Sequence, residues 1–231
     1  MLTFDGLQIR LDGFELRVGF SVEPGTRTAV IGPSGSGKST LLNVIAGFVT
    51  PTSGRVLWQG HEITGKDPGA RPVSIVFQDN NLFPHMTAFQ NVAIGIRPSQ
   101  RLSLQERARV TDALNQVGLE GMEQRKPGAL SGGQQSRVVL ARVLVQRRPL
   151  VLLDEPFTAL GPALRDEMLD LVAELVSGAG ATLLMVTHDP ADALRIADQT
   201  ILVAQGIAHP PQPTAALLAD PPAVLREYLG R

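Results

Sequence analysis

The chain has 231 residues and a mass of 24.7 kDa, enough for one domain with a sizeable core, with or without a small subdomain. Apolar residues make up 43% and charged residues 19%, which excludes a disordered or fibrous protein. The formal net charge of -1 gives no global field for a polyanion, and the absence of cysteine removes disulfides and thiolate chemistry.

In chain order, residues 1–31 carry short apolar runs broken by Gly13 and Pro24-Gly25, a pattern of strands joined by turns. A buried strand over Thr28 to Ile31 enters Gly32-Pro33-Ser34-Gly35-Ser36-Gly37. Helical spacing follows from Lys38 through Leu41, Leu42 and Ile45. Further strands are expected at Arg55 to Trp58, Ser74 to Phe77, Leu150 to Leu153, Thr182 to Val186 and Thr200 to Ala204. Helical patterns separate most of them, which predicts a mostly parallel sheet covered on both faces. Between Thr87 and Arg148 the pattern is helical only, near Ala88 to Ile94, Leu104 to Val117 and Gln134 to Arg147. The expected organisation is an α/β core over 1–86 and 149–231 with a helical subdomain inserted at 87–148. Despite its prolines, the tail keeps helical spacing over Ala215 to Leu218 and Ala223 to Leu229. No apolar run approaches the 20 or so residues of a membrane span, and no secretory signal is read, so a cytoplasmic protein is expected.

Gly32 to Thr40 reads GPSGSGKST, which fits G-x-x-x-x-G-K-[ST]. Glycines let backbone N–H groups converge on phosphate oxygens, and the following helix directs its positive end at the same anion. Lys38 adds a charge for the β- and γ-phosphates, Ser39 a hydroxyl for Mg2+, and Thr40 a further phosphate contact. The strand Leu150 to Leu153 ends in Asp154-Glu155. Asp154 is assigned to the metal and Glu155 to the general base that polarises the attacking water; taken alone, the pair also reads as a helix-capping turn. In Leu130-Ser131-Gly132-Gly133-Gln134, Ser131 is the expected N-cap and the glycines expose N–H groups, which makes a second anion loop.

With GPSGSGKST at Gly32 to Thr40, Gln78 after an apolar strand, LSGGQ at Leu130 to Gln134, VLLDEP at Val151 to Pro156 and Thr187-His188, the chain resembles the nucleotide-binding subunits of ATP-binding cassette (ABC) transporters. The resemblance implies a P-loop, RecA-like α/β fold with an inserted helical subdomain and a small N-terminal antiparallel β region. It implies ATP and Mg2+, a head-to-tail dimer of two copies, an integral membrane permease partner and, through that, a periplasmic substrate-binding protein. No nucleic-acid partner is expected, and the place of work is the cytoplasmic face of a bacterial inner membrane. Ser131, Gly132, Gly133 and Gln134 would then serve the opposite copy's ATP, Gln78 would contact the metal and the attacking water, and His188 would reach the γ-phosphate. His61, His85 and His209 are unassigned, and Trp58 and Tyr228 read as packing residues.

Two departures accompany the resemblance. The position expected to stack on adenine falls on Leu11, with Phe14 nearby, and Gly161 stands where the family carries an aspartate after the acid pair. Leu82, Phe83 and Met86 fit a permease-docking segment or ordinary packing of a subdomain boundary. The stretches Ala70 to Phe83 and Leu41 to Phe48 resemble the ATP-binding subunits of bacterial thiamine importers. An importer of another small solute (iron, molybdate, sulfate or polyamine) and a non-transport, nucleotide-dependent interaction module are the alternative readings.

Overall fold

The computed structural model describes residues 1–11, 13–79, 81–228 and 230. Asn80 of the stretch Ala70 to Phe83 and Leu229 of the tail, with Asp12 and Arg231, lie outside the described residues. The chain begins with an antiparallel region: β1 (Leu2–Leu11) pairs with β2 (Phe14–Val18) and β3 (Ser21–Val22). β4 (Arg27–Ile31) leads through the glycine loop into α1 (Lys38–Ala46). β5 (Ser53–Trp58) returns antiparallel to β1 and turns into β6 (His61–Glu62). After β7 (Val73–Val76) the chain leaves the sheet for α2 (Ala88–Ala93), α3 (Leu104–Gln116) and α4 (Gly132–Gln146). It re-enters at β8 (Leu150–Asp154), followed by α5 (Pro162–Gly178), β9 (Thr182–Val186), α6 (Pro190–Ile196) and β10 (Gln199–Ala204). The short strands β11 (Ile207–Ala208) and β12 (Gln212–Pro213) and the helices α7 (Thr214–Ala219) and α8 (Ala223–Tyr228) complete it.

The strands form one sheet in the order β6-β5-β1-β2-β11-β10-β4-β9-β8-β7, with β3 on β1 and β12 on β10. The expectation of a mostly parallel sheet needs correction, because parallel pairing is confined to β10-β4-β9-β8-β7 and to β11 on β2. In the other half β1 and β2, β5 and β6, and β10 and β11 are antiparallel because turns too short for a crossover helix join them, while β5 comes back antiparallel to β1 only after α1. Polarity follows: β8 and β9, buried along nearly their whole length, read as unbroken apolar runs, whereas β1 alternates.

Among the described residues no strand lies between β7 and β8, as the helical reading of that stretch requires. These helices do not own a separate core. Val92, Leu114, Val138 and Ala141 share one buried cluster with Val151, Leu153 and Leu183 of the sheet and Met168 and Val172 of α5. A second cluster joins the antiparallel strands to α1 through Leu7, Leu16, Leu41 and Ile45. A third sets Leu217, Leu218 and Leu225 of the tail against Ile31 and Ala193. The tail is thus packed as helices, and no described helix is long and apolar enough to cross a membrane.

Candidate functional site

The site is built at the carboxyl ends of β4 and β8, which lie in the parallel half with β9 between them. Ala29, Val30 and Ile31 are buried in the sheet, so the chain must turn sharply at its edge, and it does so through Gly32 to Gly37. Gly37 is the N-cap of α1 in the left-handed region (φ 99°), and no side chain caps the helix. The first N–H groups of α1 are therefore left to an anion. Glycine is also required there for space: a Cβ on Gly37 would lie 2.2 Å from Cζ of Phe14, whose ring packs against the loop. Lys38 is buried and donates from Nζ to the carbonyls of Gly32 (2.8 Å) and Pro33 (2.9 Å). Burial pulls its ammonium below the ordinary lysine range, opposed by Glu155 and Asp154. Among the described residues the buried Oγ of Ser36 has no hydrogen-bond partner within the chain. An unpaired hydroxyl in a loop of converging N–H groups fits a phosphate.

At the end of β8, Ser39 donates its hydroxyl to Oδ1 of Asp154 at 2.9 Å. Burial raises the Asp154 carboxyl above the ordinary aspartate range, and the Ser39 bond opposes that. Glu155 follows in a left-handed conformation (φ 45°), a strained backbone for a residue with a side chain. Three residues hold it, the first being Thr158, whose hydroxyl donates at 3.1 Å to the carbonyl of Glu155. Its N–H donates to Val186 at 3.1 Å, and Oε2 lies 3.2 Å from Nδ1 of His188. The turn carrying His188 is fixed beneath by Thr187, which donates to the buried Asp192 at 2.7 Å, while Arg165 pairs with the same carboxylate. Phe14, Ser34, Gly35, Gly37 to Thr40, Glu155, His188 and Tyr228 line one cavity of about 620 Å3.

The sequence-assigned residues therefore divide. Gly32 to Thr40, Asp154, Glu155 and His188 come together. Gln78 is exposed beyond β7 and does not line the cavity. Ser131, Gly132, Gly133 and Gln134 also lie outside it, at the start of α4. There Ser131 Oγ accepts from Gln134 N (3.3 Å) while Gln134 Oε1 accepts from Ser131 N (2.9 Å), a capping box that confirms the N-cap reading of Ser131. At Gly133 a Cβ would meet the Leu164 side chain of α5 at 2.7 Å, so a larger residue there would push that side chain aside.

Other residues had little or no signal in the sequence. Leu11 is 42% exposed and does not line the cavity, whereas Phe14 does. Tyr228, read as a packing residue, does pack on the tail cluster, but its hydroxyl also donates to the carbonyl of His188 at 2.9 Å. Asn91, wholly buried, accepts from Phe83 N and donates to the carbonyls of Phe83, Met86 and Thr87. Arg142 of α4 donates to both the carbonyl and Oδ1 of Asn91 at 2.8 Å, so the segment around Leu82 to Thr87 is tied to the helix that begins at Ser131. A second, larger cleft of about 910 Å3 lies between α3, α4 and α5, away from the phosphate loop.

A phosphate loop, a strand-end acid pair and a capped glycine motif on a helical layer define a P-loop nucleotide-binding cassette. The family model for ABC transporters matches residues 16–158, and the chain belongs to that family. Over 230 residues covering all of both chains it is 59% identical to the thiamine import ATP-binding protein ThiQ of Cereibacter sphaeroides. It is 46% identical to the protein of the same name from Yersinia pseudotuberculosis, with 100% of this chain and 97% of the relative covered. Among solved structures, a nucleotide-free ATP-binding cassette from an ABC transporter matches with a TM-score of 0.88 at 28% identity, covering 100% of this chain and 99% of that one. A dimeric cassette in a post-hydrolysis state, bound to ADP and Pi, matches with a TM-score of 0.79 at 30% identity over 93% of this chain and 99% of that one.

Proposed function

We propose that the chain is the ATP-hydrolysing subunit of an importer that takes thiamine or a thiamine phosphate across a bacterial inner membrane. The observation that carries the chemistry is the single cavity holding the phosphate loop, Lys38, Glu155 and His188. The cargo rests on the full-length likeness to thiamine import ATP-binding proteins.

The residues present fit the implied chemistry. Lys38 exchanges the carbonyls of Gly32 and Pro33 for phosphate oxygens, an exchange favoured because, among the described residues, its buried charge has no carboxylate hydrogen-bonded to it. Ser39 and Asp154 offer two hard oxygen donors 2.9 Å apart, a donor set that suits Mg2+; when bound, the ion would neutralise charge on the β- and γ-phosphates. Glu155 takes the proton of the attacking water, and its contact with His188 keeps its carboxylate at the mouth of the loop. Gln78 reaches the same site only by movement of the segment after β7.

The site needs a second anion loop, and Ser131 to Gln134 supply it to a second copy arranged head to tail. The dimeric cassettes among the structural neighbours support that pairing. A permease docks on the segment holding Leu82, Phe83 and Met86, of which Phe83 is 43% exposed, and a periplasmic binding protein delivers the cargo to the permease. The chain then works at the cytoplasmic face of the inner membrane. The test is uptake of labelled thiamine by cells carrying only this chain or its Lys38→Ala variant. The account expects uptake to collapse in the variant with the protein still present. Unchanged uptake, with hydrolysis by the purified wild type intact, would point instead to iron, molybdate, sulfate or polyamine as cargo.

A further inference from the structure

We propose that Tyr228 is a positioning residue for hydrolysis: its phenol, delivered by the C-terminal helix α8, fixes the backbone of His188 and thereby the contact between His188 and Glu155. The inference rests on the proposed roles of Glu155 and His188, and it adds to the site a residue from outside the span matched by the family model, which ends at residue 158.

The turn between β9 and α6 carries His188 over the cavity. On its lower side this turn is secured by side chains, through Thr187 to Asp192 and Asp192 to Arg165. On its upper side the carbonyl of His188 points to the tail, and Tyr228 donates to it at 2.9 Å. From the same residue the imidazole reaches Glu155 Oε2 at 3.2 Å. A backbone held at one end and a ring engaged at the other leave the histidine little freedom. Tyr228 also lines the cavity, and its hydroxyl is pushed above the ordinary tyrosine range by burial and by the nearby Glu155 and Asp189 carboxylates. The phenol thus stays a neutral donor at all working pH values.

α8 has only six residues and would not be stable alone. Leu225 anchors it, wholly buried in the cluster containing Ile31, which immediately precedes the phosphate loop, and Ala193 of α6, the helix that follows His188. One apolar cluster therefore sets the relative position of loop, histidine and tyrosine. Tyr228→Phe keeps the ring in that packing and removes one hydrogen bond.

The test is a double-mutant cycle on the full chain, reading kcat and KM for ATP together with the thermal midpoint, in the wild type, Tyr228→Phe, His188→Ala and the double variant. Tyr228→Phe is expected to lower kcat about fivefold with KM unchanged, and to lower the midpoint by no more than the few degrees that one lost hydrogen bond costs. In the His188→Ala background the same change is expected to have no further effect. A wild-type kcat in Tyr228→Phe would overturn the proposal, and so would an equal loss in both backgrounds, which marks a general packing role. Glu155→Gln in the same assay separates the two levels: if it hydrolyses ATP like the wild type, the proposed chemistry fails rather than the role of Tyr228.

Discussion

The two glycine-rich loops of this chain are built to opposite states of hydrogen-bond satisfaction. Around Gly32 to Thr40 the polar groups are incompletely used: α1 has no capping side chain, Ser36 Oγ has no partner among the described residues, and Lys38 is parked on carbonyls of its own loop. Around Ser131 to Gln134 the side chains are already spent on each other in a capping box. The first loop is poised for a ligand within its own cavity. The second is a finished helix terminus at the start of α4, outside that cavity. The head-to-tail pairing proposed above would bring the second loop to the first loop's deficit.

Several substitutions break or sharpen that contrast. The largest effect is expected in the poised loop's chemistry: Glu155→Gln should lower phosphate release by about 10²–10³-fold while nucleotide binding persists. Ser131→Asp should sharpen the contrast at the second loop. An aspartate preserves the N-cap, so the thermal midpoint stays near wild type, but its charge opposes an incoming phosphate and hydrolysis should fall more than about tenfold. Ser131→Ala reverses the pattern, costing about 1 kcal/mol of stability in a denaturant melt through the lost cap.

The far end of α1 tests how firmly the poised loop is held. Arg71 is buried and donates to the carbonyls of Val44 and Ile45 at the C-terminal end of α1 and to those of Thr64 and Lys66. Arg71→Met should therefore cost about 3 kcal/mol, measured by denaturant unfolding. Asp198 probes pH. Arg27 holds its carboxyl below the ordinary aspartate value of 3.8, so its contribution is full above that pH and is lost as pH falls through the lowered value. The stability gap between wild type and Asp198→Asn should be constant at neutral pH and close in acid. The smallest effect belongs to Gly161, the uncapped N-cap of α5, where a Cβ meets nothing within 4 Å. Gly161→Asp should add a few tenths of a kcal/mol, and a change in hydrolysis or its cooperativity would show that the missing carboxylate matters between sites.

Where chemistry is local in sequence, the sequence was legible. The phosphate loop, the capping serine and the strand-end acids each depend on neighbours a few positions away, and their elements end within a residue or two of the expected bounds. The antiparallel pairing of β5 with β1 depends on contacts some 50 positions apart, so β5 reads like any other strand. Tyr228 and His188, 40 positions apart, were invisible as a pair for the same reason. Neither alternation nor helical spacing marks a tyrosine whose ring packs and whose hydroxyl bonds a distant carbonyl. The Arg142 and Asn91 pair is likewise created by the packing of α4 on α2. Only Phe14 had a cue, its closeness to Leu11, and the ring rather than the leucine faces the cavity.

The central claim is that a working site takes its phosphate loop from one copy and its Ser131 loop from another. Mixing two inactive variants, Lys38→Ala and Ser131→Asp, tests it most directly. In mixed dimers one site then carries both lesions and the other carries none, so hydrolysis should return to about a quarter of the wild-type rate at equal amounts. A mixture no more active than its two components would contradict the account.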